Sequence, residues 1–485
     1  VAQEVELKLE LTPAAADALE RSGLLPGMPQ IVRQRSVYFD TPDHALSEEG
    51  MTLRIRHVGR KRVQTVKAEG GSAAGLFARP EWEFGVKSDT PVLDERTPIR
   101  ALFGAAADTI VPLFEVSVER RTWIVEREGA KIELVLDRGE ANAGERSSPI
   151  CELELEQKHG KPDALFALAR HIDAHLPVHL GVLTKSERGF RLLKSAKAAV
   201  KTGPVALKPD LDAAHAFQHI AQSCLRQFRL NEALLFEQHD PNALHQARVA
   251  LRRLRSAFTI HKEMLGDLRF GRLREETRWL ALALADARSI DVLIEQNEDP
   301  ELSTRLLAAR DQAYHAAETA LHSERARTLM LDLVEWIALG DWLRQPLFKE
   351  MREQPAPLFA AAALDRFRGK VKKSGKDLAG LDDEARHELR KAAKKLRYAS
   401  EFFHALFDGK RAKRRYKRFI STLEELQDRL GALNDMATAP ELLDRLGLAD
   451  APGAAPLIGT RHKRKLLDTA ADAHDALLDC KRFWR

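Results

Sequence analysis

Cysteine is scarce: Cys151, Cys224 and Cys480 are odd in number, far apart and without C-x-x-C spacing. That argues against a disulfide framework or a cysteine zinc site and leaves the thiols as expected packing residues. Aromatic residues make up 6% of the chain, few for a protein that would stack the bases of a single-stranded nucleic acid. No apolar run approaches the roughly 18 to 20 residues that cross a bilayer. The opening Val1-Ala2-Gln3-Glu4 also lacks the charged-then-apolar pattern of a signal peptide, so a cytoplasmic protein without membrane contact is expected. Nothing resembles a P-loop or a Ser or Cys catalytic triad.

What is present is length and unevenly placed charge. A chain of 485 residues exceeds a single core, and two or three domains are expected. Residues 1–195 hold 27 Lys and Arg against 30 Asp and Glu, a net of −3, which leaves the remainder with 50 against 42, a net of +8. A basic second half favours a polyanionic partner if its cations cluster.

Up to about residue 195 the dominant pattern is period-two alternation, as in Glu4-Val5-Glu6-Leu7-Lys8-Leu9-Glu10, Thr52 to Arg56, Lys131 to Asp137 and Glu152 to Glu156. Each reads as a strand whose successive side chains leave opposite faces. Short helices are predicted over Pro13–Ser22 and Pro162–Leu176. A linker is expected at 196–210, with Gly203-Pro204 and Pro209. Beyond it the pattern is helical: Ala214–Leu234, Ala243–Leu265, Leu268–Ala285, Glu384–Leu406 and Arg414–Leu430, with breaks at Pro241, Pro300, Pro355-Pro357 and Ala451–Pro456.

The helical half repeats itself. His245-Gln-Ala-Arg248-Val-Ala-Leu-Arg252-Arg253-Leu-Arg255 recurs as His387-Glu-Leu-Arg390-Lys-Ala-Ala-Lys394-Lys395-Leu-Arg397, with basic residues at offsets +3, +7, +8 and +10 from the histidine. Offsets 0, +3, +7 and +10 fall within an arc of about 80° on a helix, beside a face of small and apolar residues. Some forty residues later a second pair recurs, Leu284-Ala-Asp-Ala-Arg288-Ser-Ile-Asp291 and Leu430-Gly-Ala-Leu-Asn434-Asp435. A single basic stripe is usually a solvated face; one repeated at matching offsets predicts two pseudo-symmetric bundles, about 211–345 and 355–485, presenting cations to a shared polyanion.

These residues resemble the CHAD module over 211–485. The resemblance implies inorganic polyphosphate as ligand, with His245, Arg248, Arg252, Arg255, His387, Arg390, Lys394 and Arg397 as contacts; Arg253 and Lys395, at offset +8, are taken with them. Ala285 and Ser289 stand where the family usually has Gly and Asp. Fixed cations bind a polyphosphate by counterion release, and with no aromatics in the first stripe nucleic acid is the weaker reading.

In the strand half, charged residues alternate with apolar ones on six or seven strands. A one-sided sheet explains any one of them; all of them together fit a closed antiparallel barrel with a polar lumen. The fold class is therefore α+β, a tunnel-like barrel followed by an all-helical domain. Carboxylates from its first and last strands would repel unless a divalent cation, Mg²⁺ or Mn²⁺, sat between them. Arginines on other walls suit a phosphate chain.

Glu4-x-Glu6-x-Lys8, Arg54-x-Arg56, Thr65-x-Lys67, Gly75-Leu76 with Arg79-x-Glu81, Asp137-x-Gly139, Glu152-x-Glu154 and Lys185-x-x-Arg188-Gly189 together resemble the CYTH, or triphosphate tunnel metalloenzyme, family over 1–195. This implies inorganic triphosphatase activity. Glu4, Glu6, Asp137, Glu152 and Glu154 would hold metal, and Lys8, Arg54, Arg56, Lys67, Arg79, Arg121 and Lys185 would hold triphosphate. Glu4, Glu6, Lys8 and Lys67 would act in catalysis. Adjacent Arg120 and Arg121 face opposite ways, and the sequence leaves open which points inward. Two other functions stay open. One is a nucleotide or thiamine triphosphatase or an adenylate cyclase of the same type, which needs a stacking group among Tyr38, Phe39, Phe77 and Trp82. The other is a polyphosphate-binding scaffold with little catalysis.

Overall fold

The computed structural model describes residues 3–68, 72–73, 75–127, 129–194, 198–458 and 463–485, with backbone alone at 3, 4, 72, 73, 78, 79 and 458. Two compact units emerge, Val1–Ala198 with Ser323–Leu339, and Ala199–His322 with Gly340–Arg485.

The first unit is built on β1 (Gln3–Glu10), β2 (Gln30–Asp40), β3 (Met51–Val58), β4 (Lys61–Ala68), β5 (Ser72–Ala73), β6 (Leu76–Gly85), β7 (Val111–Arg127), β8 (Ala130–Ala143), β9 (Arg146–His159) and β10 (His179–Leu180). Their order is β10-β1-β9-β8-β7-β2-β3-β4-β6-β5. β1 pairs with β9 through Glu6–Glu10 and with β6 through Gln3–Leu7, so the long strands close into an antiparallel ring. Closure satisfies the backbone groups that a sheet edge would leave unpaired.

Alternation decides what each face does. Leu7 and Leu9 of β1 and Leu153 and Leu155 of β9 are buried where the helix Asp163–Asp173 covers both strands with Leu165, Phe166 and Ile172. Each such side chain contributes about 1.5–3 kcal/mol of burial. The residues between them, Glu6, Lys8 and Glu154, turn into the lumen. The helix Glu324–Leu339 also belongs to this unit. It packs on Asp163–Asp173 and β10, with Arg170 donating to Asp332 and Glu335 at 2.7 Å and Arg327 to Asp173 at 2.6 Å. The sequence groups this helix with the helical half, because its apolar pattern does not tell which unit it covers.

The second unit is helical. Its opening segment has no helix of its own but lies against the bundle: Val205 and Leu207 are buried, and Val200 N donates to Asn231 Oδ1 at 2.9 Å. The basic stripes lie on the helices Pro241–Ile260 and Asp383–Phe403. The helix expected over Arg414–Leu430 runs from Lys410 to Arg445, through Pro440. A local two-fold relation ties the two bundles where their first helices begin. Ala213 N donates to Gln354 O at 2.9 Å and Ala356 N to Leu211 O at 2.8 Å.

Candidate active site and cationic helical face

Strand register brings the acidic residues together. Glu152 stands opposite Asp137 across β8–β9, Glu154 opposite Lys8 across β1–β9, and Arg120 opposite Asp137 across β7–β8. Asp137, Glu152 and Glu154 each place an oxygen within 4.8 Å of the others. Lys185 Nζ lies 2.7 Å from Asp137, 2.6 Å from Glu152 and 2.7 Å from Glu154. Lys8 donates to Glu152 at 3.0 Å and to Glu154. Arg120 forks onto Asp137 at 2.9 and 2.6 Å and reaches Glu154 at 2.9 Å.

Burial works against every charge in this cluster, and the partners overcome it. Lys185 is held well above its ordinary value by Asp137, Glu152 and Glu154, and Lys8 is raised by Glu152 and Glu154. Glu154 is held well below the usual carboxylate range by Lys185, Lys8 and Arg120; Glu152 and Asp137 are lowered as well. Lys185 is aimed by a capping box at the start of its helix, Lys185–Leu193: Thr184 Oγ1 accepts from Glu187 N at 3.1 Å, and Glu187 accepts from Thr184 N at 2.8 Å.

A cavity of about 520 Å³ opens in front of this cluster. Beside Lys8, Glu154 and Lys185, it is lined by Glu6, Arg54, Arg56, Lys67 and Arg120, as well as Glu81, Glu83, Glu133 and Glu156. Glu6 faces Glu156 in the β1–β9 register, two residues along from the Lys8–Glu154 pair, and is not one of the clustered three. On the far wall Arg56 pairs with Glu83 at 2.8 Å and Lys67 with Glu81 at 3.5 Å. Arg56 is lowered by burial and then by its neighbour Arg54, so two cations point into one space. Toward one end the inward residues turn apolar: Phe114, Val116 and Val118 share their strand face with Arg120, and Phe190 packs on them.

Two expected site residues, Glu4 and Arg79, fall outside the described side chains; their backbones are partners in the β1–β6 ladder. Arg121 corrects the substrate set. Its guanidinium is bound to Glu119 at 2.8 Å and to Glu20 on the other side of the sheet, whereas Arg120 lines the cavity. Arg188, part of the Lys185-x-x-Arg188 motif, bonds Glu10 and sits 3.7 Å from Glu152, a role that the spacing alone does not show. Lys158, 2.6 Å from Glu156, carries no signal that separates it from a surface lysine.

The carboxylate triad fits a hard divalent ion. Its donors are all oxygen, and Glu152 Oε2 is buried without a hydrogen-bond partner, a costly arrangement that a cation would relieve. Three carboxylates already meet three cations, so an ion binding here takes over contacts now made by ammonium groups.

In the helical unit the two stripes converge. Lys394 is pushed down to about 6, by burial first and then by Arg252, Arg390 and Arg397. His245 is pushed down to about 4 by burial and then by Arg288, Arg252 and Arg248. Arg252 thus acts on both repeats. The second motifs act on the histidines: the charge of Arg288 helps to lower His245, and Asn434 Oδ1 lies 2.9 Å from His387 Nδ1. The +8 positions do not join this face. Arg253 is buried, bound to Glu401 and set over Phe402 at 4.8 Å. Lys395 is lowered by burial and then by Lys370 and Lys391. Arg397 leans to Glu401 at 3.4 Å, and Arg255 toward Arg278 and Glu275.

A CYTH domain family model matches residues 2–190 and a CHAD domain family model residues 219–444. Over 207 residues the chain is 31% identical to a Haemophilus influenzae protein named inorganic triphosphatase; the match covers 39% of this chain and 55% of that protein, about half its length. An uncharacterized Mycobacterium tuberculosis protein is 27% identical over 402 residues, 75% of each chain. The solved CHAD domain from the plant Ricinus communis is similar at a TM-score of 0.51 and 28% identity, covering 58% of this chain and 98% of that one.

Proposed function

Because residues 2–190 are a CYTH domain and residues 219–444 a CHAD domain, we propose that the chain hydrolyses inorganic triphosphate to diphosphate and phosphate in its barrel, with Mg²⁺ or Mn²⁺, and binds inorganic polyphosphate on its helical face. One observation carries the reading: Glu154 of the carboxylate cluster, with Glu133 and Glu156, and cations on β3, β4 and β7 face the same cavity. A linear triphosphate has little but charge to recognise, and opposed walls of this kind recognise charge.

Arg54, Arg56, Lys67 and Arg120 bind the phosphate oxygens, the arginines by forked contacts, and hold the chain in line for attack. Water attacks the terminal phosphorus; the new P–O bond forms as the bridging P–O bond to diphosphate breaks, and the water proton passes to a carboxylate lining the cavity. Charge growing on the equatorial and bridging oxygens is met by the guanidinium groups already in position. Asp137, Glu152 and Glu154, with Glu4 and Glu6 as further candidates, would hold a divalent ion, which would supply additional charge neutralisation and acidify water. Lys8 and Lys185 hold those carboxylates ionised and oriented.

Nucleotide or thiamine substrates are disfavoured by where the aromatics went. Tyr38 lines the cavity, but its ring is stacked on Phe114 at 4.8 Å, and Phe39 and Trp82 pack in the apolar layer on the opposite face of the sheet. On the helical unit, what supports polyphosphate is the convergence of Arg252, Arg390 and Lys394, a crowding of basic groups that a polyanion relieves.

The test is a panel of triphosphate, ATP, thiamine triphosphate and long-chain polyphosphate, each with and without Mg²⁺ or Mn²⁺. Metal-dependent phosphate release fastest from triphosphate is expected. Faster turnover of ATP, or release indifferent to metal, overturns the reading.

A further inference from the structure

Apart from the barrel triad, a second set of ligating side chains lies close enough to share an ion, His239, His315 and Glu318 in the helical unit. His239 stands in the turn after the helix Ala213–Leu235, one residue before Asp240, which caps the stripe-bearing helix Pro241–Ile260. His315 and Glu318 lie on the helix Pro300–His322, which also carries His322. Spacings of three and then four residues put all three of these on one helix face, within about 60° of arc.

The three imidazoles converge on one carboxylate. Glu318 Oε2 is 3.8 Å from His239 Nε2 and 3.9 Å from His315 Nδ1, and Oε1 is 3.9 Å from His322 Nε2. These distances are too long for hydrogen bonds. They are about half an ångström longer than the roughly 3.3 Å between neighbouring ligand atoms on a tetrahedral ion with bonds of about 2.0–2.1 Å. Two of the rings are already oriented by packing. His239 lies against Tyr314 at 4.8 Å, whose hydroxyl donates to Asp291 at 2.9 Å, and Arg310 donates to the His239 carbonyl at 3.3 Å. His322 is stacked on Phe236 at 4.0 Å. A merely solvated face has no reason to aim histidines from two separate elements at one glutamate.

We propose that His239, His315 and Glu318 form a site for a borderline transition-metal ion of the Zn²⁺ class, with His322 beside it on the other Glu318 oxygen. Imidazole-rich donors select such ions over Mg²⁺, whereas the all-oxygen triad of the barrel has the opposite preference. An ion here fastens the turn before Pro241 to the helix Pro300–His322 and so fixes the start of the helix that presents His245, Arg248 and Arg252.

The test uses the full chain without a histidine tag, freed of metal and titrated with Zn²⁺ against a chromogenic chelator, in excess Mg²⁺ to occupy oxygen-only sites. Roughly one tightly bound Zn²⁺ per chain is expected. His239→Ala with His315→Ala should abolish it, with the far-ultraviolet circular dichroism unchanged, while Glu152→Gln with Glu154→Gln should leave it in place. Co²⁺ in the same site should give the visible absorption of a low-coordinate complex, absent from the histidine double variant. Zn²⁺ binding that is no tighter than in the histidine variant, or that is lost with the barrel glutamates, overturns the proposal.

Discussion

Lys8 stands opposite Glu154 in the β1–β9 register, and its ammonium also reaches Glu152 at 3.0 Å. With Lys185 and Arg120 this makes a buried knot of three carboxylates and three cations, in which each charge is tolerable only because the others are present. The knot ties folding to pH with a definite sign. Glu152 and Glu154 are held below the ordinary 4.5, so their contribution is complete above about pH 4.5 and is lost as pH falls through their folded-state values. Lys8 and Lys185 are held above 10.5, so theirs is complete below about pH 10.5 and is lost as pH rises further. Thermal unfolding followed from pH 7 to 3 should show a steep acid limb that Glu154→Gln makes shallower. Superimposable limbs would mean that the knot does not couple protonation to stability.

Arg120 and Arg121 are adjacent, yet only one should matter to catalysis. Arg120→Ala removes a charge-assisted contact of about 1.5–3 kcal/mol, and kcat/KM for triphosphate should fall at least tenfold. Arg121→Ala breaks contacts to Glu20 and Glu119 on the outer face, and kcat/KM should stay within about twofold of the parent, because surface ion pairs contribute about 0–1 kcal/mol. Steady-state kinetics of the two variants distinguish the assignments; equal losses would return Arg121 to the site.

That pair also marks where the sequence stops being legible. On β1 and β9 the apolar residues lie under a helix, so charged positions could be assigned to the lumen by alternation alone. On β7 the relation inverts. Phe114, Val116 and Val118 fill one end of the lumen, and Glu115, Ser117, Glu119 and Arg121 form an outer face without that cover. Parity with Glu119 therefore points away from the site, and parity with Val118 points into it, but only knowledge of which sheet face is covered makes either usable. The stripes failed at offset +8 for a related reason. The step from +7 to +8 turns about 100° on a helix, enough to carry Arg253 from the cationic face into the core beside Phe402. The matching offsets of the repeat, by contrast, survived as interactions, since Arg288 acts on His245 through its charge and Asn434 bonds His387. His239 and Glu318 lie far apart in sequence, without motif spacing, and only the fold brings them together.

Gly189 explains why the last barrel motif ends in glycine. A Cβ there would lie 2.0 Å from the ring of Phe114, the ring that stacks on Tyr38, whose hydroxyl accepts from Arg54 at 3.4 Å. Gly189→Ala must push this aromatic layer or lift the helix that carries Lys185. Overpacking of this kind costs about 1–3 kcal/mol, and activity should fall more than Lys185-independent properties such as polyphosphate binding. Thermal denaturation and triphosphate turnover of the variant check this, and an unchanged melting temperature would refute the close approach.

Lys394 gives the helical face a proton of its own. Burial and the opposing Arg252, Arg390 and Arg397 hold it down to about 6, so in the free protein at pH 7.5 it is mostly neutral. A polyanion laid across the stripe reverses the local field and favours the charged form. Binding at pH 7.5 should therefore take up a proton, and affinity should tighten as pH falls from 8 toward 6, by at most about tenfold per pH unit from this group; below about 6 that gain ends because the lysine is already charged. His245, pushed down to about 4, adds to proton uptake only in stronger acid. Arg248, pushed down to about 10, is charged throughout this range. The same shift predicts folding: between about pH 6 and 10.5 the unfolded chain holds a proton that the folded chain has given up, so this group makes stability rise with pH across that window. Calorimetric titration with polyphosphate in two buffers of different ionisation enthalpy measures the uptake directly. Lys394→Met should abolish it, weaken binding at pH 6 more than at pH 8 and raise stability at pH 7. Uptake that persists undiminished in the variant would assign the proton elsewhere on the face.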